Sequence, residues 1–268
     1  MKDFQTILYR DSEGVATVSL NRPESFNALD ETICFELQDV FGAIADDESV
    51  RAVILTGEGR AFSAGQDLRS METDGADAAD FVKDVLRRRY APLITGMRSL
   101  AKPIVGAING VAAGAGMSLA LATDIRIASE RSSFMQAFSR VGLVPDAGSN
   151  YFLVHLVGLP RALELAWTAR RVDAAEALEL GLVNRVVPDA ELMGAAQELA
   201  HTLARGPAQA IGLTKQAMTR ASTADLAEIL ELEAELQARC IVTDDFREGV
   251  AAFLEKREPR FGQTPSRI

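Results

Sequence analysis

The stretch from Pro103 to Thr123 limits most strongly what this chain can fold into, because it contains no charged residue. Gly106, Gly110 and Gly114 form overlapping GxxxG patterns within it, and its length approaches that of a membrane span. Asn109 and the glycines interrupt the run, however, and its first part is a short β-branched segment. It reads as a strand over Ile104–Ile108, a Gly-rich turn over Asn109–Gly116 and a helix over Met117–Ala122, rather than as a span.

Further strand-like runs lie at Val15–Leu20, Arg51–Leu55 and Asp124–Ala128. Between the first two, Ile33, Leu37, Val40, Phe41 and Ile44 recur at helical spacing, with Asn27 and Asp30 both suitable as N-caps. A second helix is expected over Ala79–Leu100. Strands alternating with helices point to βαβ units and a largely parallel sheet. Beyond about residue 158 consecutive helices take over. Asp173 and Glu176 form a capping-box-like pair, Gly181 is a helix stop, and Leu182–Val187 is one further strand. The layout is an α/β core followed by a helical C-terminal region, with the division placed at 1–195 and 196–268.

A length of 268 residues can bury a large core in one domain, and 48% apolar with 25% charged residues is ordinary globular composition. With 28 Lys and Arg against 38 Asp and Glu, the formal net charge is −10. That balance, without a basic aromatic stripe, argues against nucleic acid. The N-terminus has no apolar run of a secretory signal, and Cys34 and Cys240 are expected as free thiols. A soluble cytoplasmic protein is the expectation.

Several chemistries lack their residues. His155 and His201 are too few and too isolated for a metal site, and no cysteine pair has ligand spacing. No GxSxG elbow comes with a matching His and acid, no P-loop is present, and Leu119 stands where a dinucleotide fingerprint needs a small residue. Arg87, Arg88 and Arg89 are expected to fan around a helix as a solvated face.

Two Gly-containing turns each follow an apolar strand: Phe62–Leu68 and Asn109–Gly116. Small residues let a ligand approach the backbone, and a helix start offers unpaired N–H groups. Two such groups converging on one point would make an oxyanion hole for a thioester enolate. Each turn alone is better explained as structural, since Gly-rich strand-to-helix turns are common.

The residues of these turns carry a resemblance. NRPESFNALD (Asn21–Asp30), FSAGQDL (Phe62–Leu68), KPIVGAINGVAAGAGMSLALATDIRIAS (Lys102–Ser129) and GLVPDAGSNYFL (Gly142–Leu153) resemble the enoyl-CoA hydratase/isomerase (crotonase) family. So do GLVNRVV (Gly181–Val187) and EGVAAFLEKREPRF (Glu248–Phe261). The resemblance spans nearly the whole chain in the family's order. It implies the α/β crotonase fold, a spiral of ββα turns followed by a helical trimerisation region, with a homotrimer or dimer of trimers as the assembly. It implies an acyl-CoA thioester substrate and no separate cofactor, coenzyme A being part of the substrate.

Residue by residue, the match assigns the oxyanion hole to the N–H groups of Ala64 and Ala115. Asn27, Ala28 and Leu29, with Ala64, Gly65, Gln66, Asp67 and Leu68, would border the CoA moiety, and Gly114 belongs to the same substrate site. Phe253 and Lys256 match tail positions that meet the nucleotide end of CoA from a neighbouring subunit, although Lys256 reads equally as an ordinary exposed lysine. Hydratases of the family carry two glutamates where this chain has Ser118 and Phe138. Adding water needs a group to activate the water and a proton source, which these residues supply poorly. Asp146 instead matches the single acid of 3-enoyl-CoA isomerases and of ring-opening isomerases of phenylacetate degradation; outside that context it reads as a turn aspartate.

The resemblance therefore implies isomerisation of an enoyl-CoA or ring-epoxide acyl-CoA by a proton shuttle on Asp146. Hydration of a 2-enoyl-CoA is the alternative, and a non-catalytic acyl-CoA-binding subunit a further one. Met71–Ala79 is expected to be a loop near the acyl site.

Overall fold

Three strands of the larger sheet are each followed by a short second strand that leaves it and enters another sheet, and this repetition builds the core. The computed structural model describes residues 4–71 and 77–262. The larger sheet contains β1 (Ile7–Ser12), β2 (Val15–Leu20), β3 (Ala52–Gly57), β5 (Ile104–Ile108), β7 (Ile125–Ser129) and β10 (Arg185–Val187), in that spatial order. β1 and β2 form an antiparallel hairpin; the other neighbours are parallel, with Val15 beside Ala52, Val53 beside Ile104 and Val105 beside Ile125. The smaller sheet takes β4 (Ala61–Ser63), β6 (Val111–Ala113), β8 (Ser133–Met135) and β9 (Val172–Asp173). This is the α/β crotonase fold, with parallel sheets and a helical C-terminal region.

Helices follow the strand pairs. α1 (Glu31–Asp46) is capped by Asp30, whose carboxylate accepts from the Ile33 N–H at 3.0 Å, and it buries the five apolar residues that predicted it. The expected helix over 79–100 is composite: α2 (Ala78–Val85), a five-residue π-turn over Leu86–Tyr90, and α3 (Ala91–Ser99). α4 (Ala115–Ala122) is buried on every side, which explains its lack of charge and of amphipathic pattern. The region read as one Gly-rich turn thus contains β6, and the helix begins at Ala115 rather than Met117. Backbone pairing with β4 and β8, through Val111–Ala113, outcompetes the local turn signal. Among the described residues no helix is long and apolar enough to cross a membrane.

After β8 come α5 (Ser149–Val157), α6 (Leu159–Thr168) and α7 (Ala174–Glu179). Asp173 caps α7 by accepting from the Glu176 N–H at 2.9 Å, while the Glu176 carboxylate pairs with Arg170 instead of closing the box. α8 (Leu192–Ala204) then lies across the larger sheet, packing Leu192, Ala196, Ala200 and Ala204 against Val15, Ile54, Ala107 and Ile127. The division at residue 195 therefore cuts through a core helix. The separate helical region is α9 (Ala208–Ala221), α10 (Leu226–Cys240) and α11 (Asp244–Glu255). Lys215 of α9 ties it to the core, donating to Asp124 Oδ2 at 2.7 Å and to the Met97 carbonyl at 3.0 Å.

Candidate active site

The two Gly-containing turns meet because their strands pair. β4 and β6 run parallel, with Ala61 beside Val111 and Ser63 beside Ala112, so the residues that follow each strand emerge side by side. Gly65, at φ +93°, closes the gap: a methyl group there would stand 2.5 Å from the Ala113 carbonyl oxygen and 3.2 Å from the Ala115 nitrogen. Gly116 makes the reciprocal approach, since its methyl would fall 2.3 Å from the Ser63 carbonyl oxygen. Ala115 is the first residue of α4, so its N–H has no acceptor within the helix.

The other N–H assigned to the oxyanion hole is corrected. The Ala64 N–H donates to the Phe26 carbonyl at 2.8 Å and is not free for a ligand. Two residues on, Gln66 forms a parallel bridge with Leu29, in which the Leu29 N–H donates to the Gly65 carbonyl and the Asp67 N–H to the Leu29 carbonyl. That pattern leaves the Gln66 N–H directed away from Leu29. Gln66 and Ala115, with Ala64, Leu68 and Gly114, line a cavity of about 190 Å³.

Apolar side chains from the composite helix and from the segment before α5 make the remaining walls, including Val85, Leu86 and Leu143. Phe138 is buried beside them, in the 3₁₀ turn Ala137–Val141, while Val144 lines the cavity with most of its side chain exposed. Met71 lines the cavity; of the loop expected over Met71–Ala79, residues 72–76 lie outside the described residues, and Ala78 and Ala79 begin α2.

Asp146 is the sole carboxylate among the described residues of the cavity wall. Ala147 at φ +48° and Gly148 at φ +82° turn the chain sharply into α5 behind it. The Asp146 carbonyl accepts from the Ser149 N–H at 2.9 Å and from the Ser118 hydroxyl at 3.0 Å. Ser118 itself is fully buried, so it contributes an anchor for the Asp146 backbone rather than a wall. The Asp146 carboxyl has a buried oxygen, Oδ1, with no hydrogen-bond partner, and desolvation pushes its pKa up to about 6. Among the described residues no cation reverses that shift. Such a carboxyl is poised to take and return a proton near neutral pH.

Other residues expected at the substrate hold loops in place in this structure. Asn27 and Leu29 have no exposed surface. The Asn27 side chain accepts from the Arg22 N–H and donates to the Glu58 and Ala61 carbonyls, stapling the loop before α1 to the corner between β3 and β4. Asp67 pairs with Arg22 at 3.2 Å and Arg69 at 3.0 Å, which hold its carboxyl below the usual range. Ala28 is nearly buried beside them, its carbonyl accepting from Arg22. Phe253 and Lys256 lie on and just after α11, away from the cavity wall, Phe253 being 83% exposed. Arg89 departs from the solvated face expected for it: it is buried, 3.3 Å from Glu31.

The sequence model of the enoyl-CoA hydratase/isomerase family matches residues 10–264. The chain belongs to the enoyl-CoA hydratase/isomerase family. It is 43% identical over 258 residues to a Rhodobacter capsulatus protein named "probable enoyl-CoA hydratase", covering 96% of this chain and 98% of that one. It is 41% identical over 255 residues to the 1,2-epoxyphenylacetyl-CoA isomerase of Escherichia coli, covering 95% and 97%. The crystal structure of an enoyl-CoA hydratase from Bacillus anthracis superposes with a TM-score of 0.90 at 36% identity, covering 96% of this chain and 99% of that one. The chain is thus an acyl-CoA-processing enzyme of this family.

Tyr90 was not among the residues singled out from sequence. It lines the cavity and is 3% exposed, and its hydroxyl donates to Gln66 Oε1 at 2.6 Å. Its spacing from Leu86, Leu93 and Ile94 marks it as an inward residue of the expected helix, but helical periodicity does not say that this face borders the cavity.

Proposed function

We propose that this enzyme isomerises a 3-enoyl-CoA to the conjugated 2-enoyl-CoA with Asp146 as its single acid/base. The observation that carries the reading is one partnerless carboxyl on an apolar cavity, with Ser118 and Phe138 where a second and third acid would have to stand. The ionised Asp146 takes the proton from C2; the C2–H electron pair moves into the C1–C2 bond and charge passes to the thioester oxygen. The N–H groups of Gln66 and Ala115 hold that oxyanion. Asp146 then delivers the same proton to C4, and the double bond comes to rest between C2 and C3. Proton removal and return on one face of the substrate need only one carboxyl, and coenzyme A arrives as part of the substrate, so no other cofactor is required. A ring-epoxide acyl-CoA would use the same oxyanion site, a use supported by the isomerase named among the relatives.

Offered a 3-enoyl-CoA and a 2-enoyl-CoA separately, the enzyme is expected to convert the first to an isomer of unchanged mass and to add little water to the second. Rapid water addition would establish hydration instead, the reading that the 43% identical relative's name favours. Because the base must be ionised in the free enzyme, kcat/KM should rise with pH through a midpoint near about 6. A profile flat between pH 5 and 7 would remove Asp146 as the base.

The assembly we propose is a homotrimer or a dimer of trimers, with Phe253 and Lys256 reaching the CoA of a neighbouring subunit. Supporting it, α10, α11 and their connection expose Leu230, Ile241, Phe246, Val250, Phe253 and Leu254, an apolar face that water alone covers poorly. Sedimentation should give a multiple of three chains; a monomer would refute the shared site.

A further inference from the structure

We propose that Tyr90 is a positioning residue of the oxyanion hole, fixing the Gln66 N–H through the Gln66 side chain. The inference rests on the reading of Gln66 and Ala115 as the donors to the thioester oxygen.

Tyr90 closes the π-turn that follows α2. Val82, Val85 and Leu86 line the cavity, and Tyr90, four residues after Leu86, continues that face ahead of Leu93 and Ile94. The turn is held from α1, where Gln38 Nε2 donates to the carbonyls of Arg88 and Arg89 at 3.1 and 2.9 Å. π-turns of this kind are concentrated at functional sites.

Gln66 is then gripped on two sides. Its backbone neighbours are bonded to Leu29 at 2.7 and 2.9 Å. Its side-chain amide accepts from the Tyr90 hydroxyl at 2.6 Å and extends Nε2 toward the Asp67 carbonyl at 3.3 Å and Ser70 Oγ at 3.4 Å. The phenol stays protonated, since burial, Cys34 and Asp146 raise its pKa well above the ordinary value, so it remains a donor across the working pH range. With its proton on Gln66, the hydroxyl is not a spare acid for substrate. Its effect passes through Gln66, whose N–H must point at the oxygen before charge develops there.

The test reads polarisation directly. Hexanoyl-CoA, a saturated thioester that cannot isomerise, is bound to the enzyme and its carbonyl stretch followed by difference infrared spectroscopy, beside kcat and KM for a 3-enoyl-CoA. Tyr90→Phe and Gln66→Ala should each lose part of the carbonyl shift seen with wild type. Each should also lower kcat roughly tenfold while leaving KM within about twofold. The double variant should equal either single one, because both remove one linkage. Losses that multiply in the double variant would overturn the proposal, as would a Tyr90→Phe enzyme with an unchanged carbonyl stretch. If Tyr90→Phe folds poorly, Gln66→Ala alone decides, since its truncation lies at a half-exposed position: an unchanged stretch refutes. Wild type that shifts the carbonyl yet isomerises nothing would refute the isomerase reading and leave this one standing.

Discussion

Asp146→Asn is expected to lower isomerase turnover by about 10²–10⁴-fold, the usual worth of a positioned acid/base, and to make the protein more stable at the same time. The two effects share one cause. Burial without a partner raises the Asp146 pKa from 3.8 to about 6. Below 3.8 the carboxyl is protonated in both folded and unfolded chains and costs nothing extra. Between 3.8 and about 6 the unfolded chain has released this proton while the folded chain keeps it, so stability falls as pH rises across that window. Above the window the loss is constant, about 1–3 kcal/mol. An asparagine cannot ionise and escapes it. Thermal melts of the two proteins should therefore nearly coincide near pH 4 and separate by pH 8, the variant melting higher. An equal separation at both pH values would place the gain in packing, and retained turnover would remove Asp146 from the reaction. The Ser118 hydroxyl bond to the Asp146 carbonyl is common to both proteins, so the backbone of the site is expected to stay in place.

What was legible in the sequence is what repeats or alternates. The apolar runs of β2, β3, β5 and β7 and the spaced apolar face of α1 each fixed an element to within a few residues. The family motifs brought Asp146 to the site, where periodicity alone showed a turn aspartate. The failures have local geometric causes. β4, β6 and β8 are three residues long, too short for a pattern to emerge, and exist because neighbouring strands supply their hydrogen bonds. The N–H left unbonded in the first turn lies on Gln66 rather than Ala64, because the Ala64 N–H is bonded back to Phe26 and the positive φ of Gly65 re-aims the chain after it. No residue pattern reports the direction of an N–H. Asn27 and Asp67 stand in motif segments and were expected at the ligand, yet their side chains are spent on holding loops together. A motif identifies which segment forms a wall; the hydrogen bonds decide which of its atoms face the cavity.

Gly65→Ala should be the most damaging substitution outside Asp146, lowering kcat by about 10²–10³-fold, as expected when an oxyanion donor is lost. Two physical costs meet there. The φ of +93° is a backbone conformation that a residue with a Cβ adopts only under strain, and the added methyl would press to 2.5 Å on the Ala113 carbonyl. Relief requires β4 and β6 to separate at their ends, which is where Gln66 and Ala115 present their N–H groups. Gly181→Ala separates the two costs. Its φ of +77° carries comparable strain, but its nearest neighbour would be the Leu156 carbonyl at 3.7 Å, an ordinary contact, and it lies outside the cavity wall. That variant should lose about 1 kcal/mol of stability and keep its turnover. Gly65→Ala should lose turnover in the fraction that remains folded, measured by active-site titration against bound hexanoyl-CoA. Equal turnover per folded site in the two variants would mean that Gly65 serves only the backbone, and that the meeting of the two turns is architecture without a part in the chemistry.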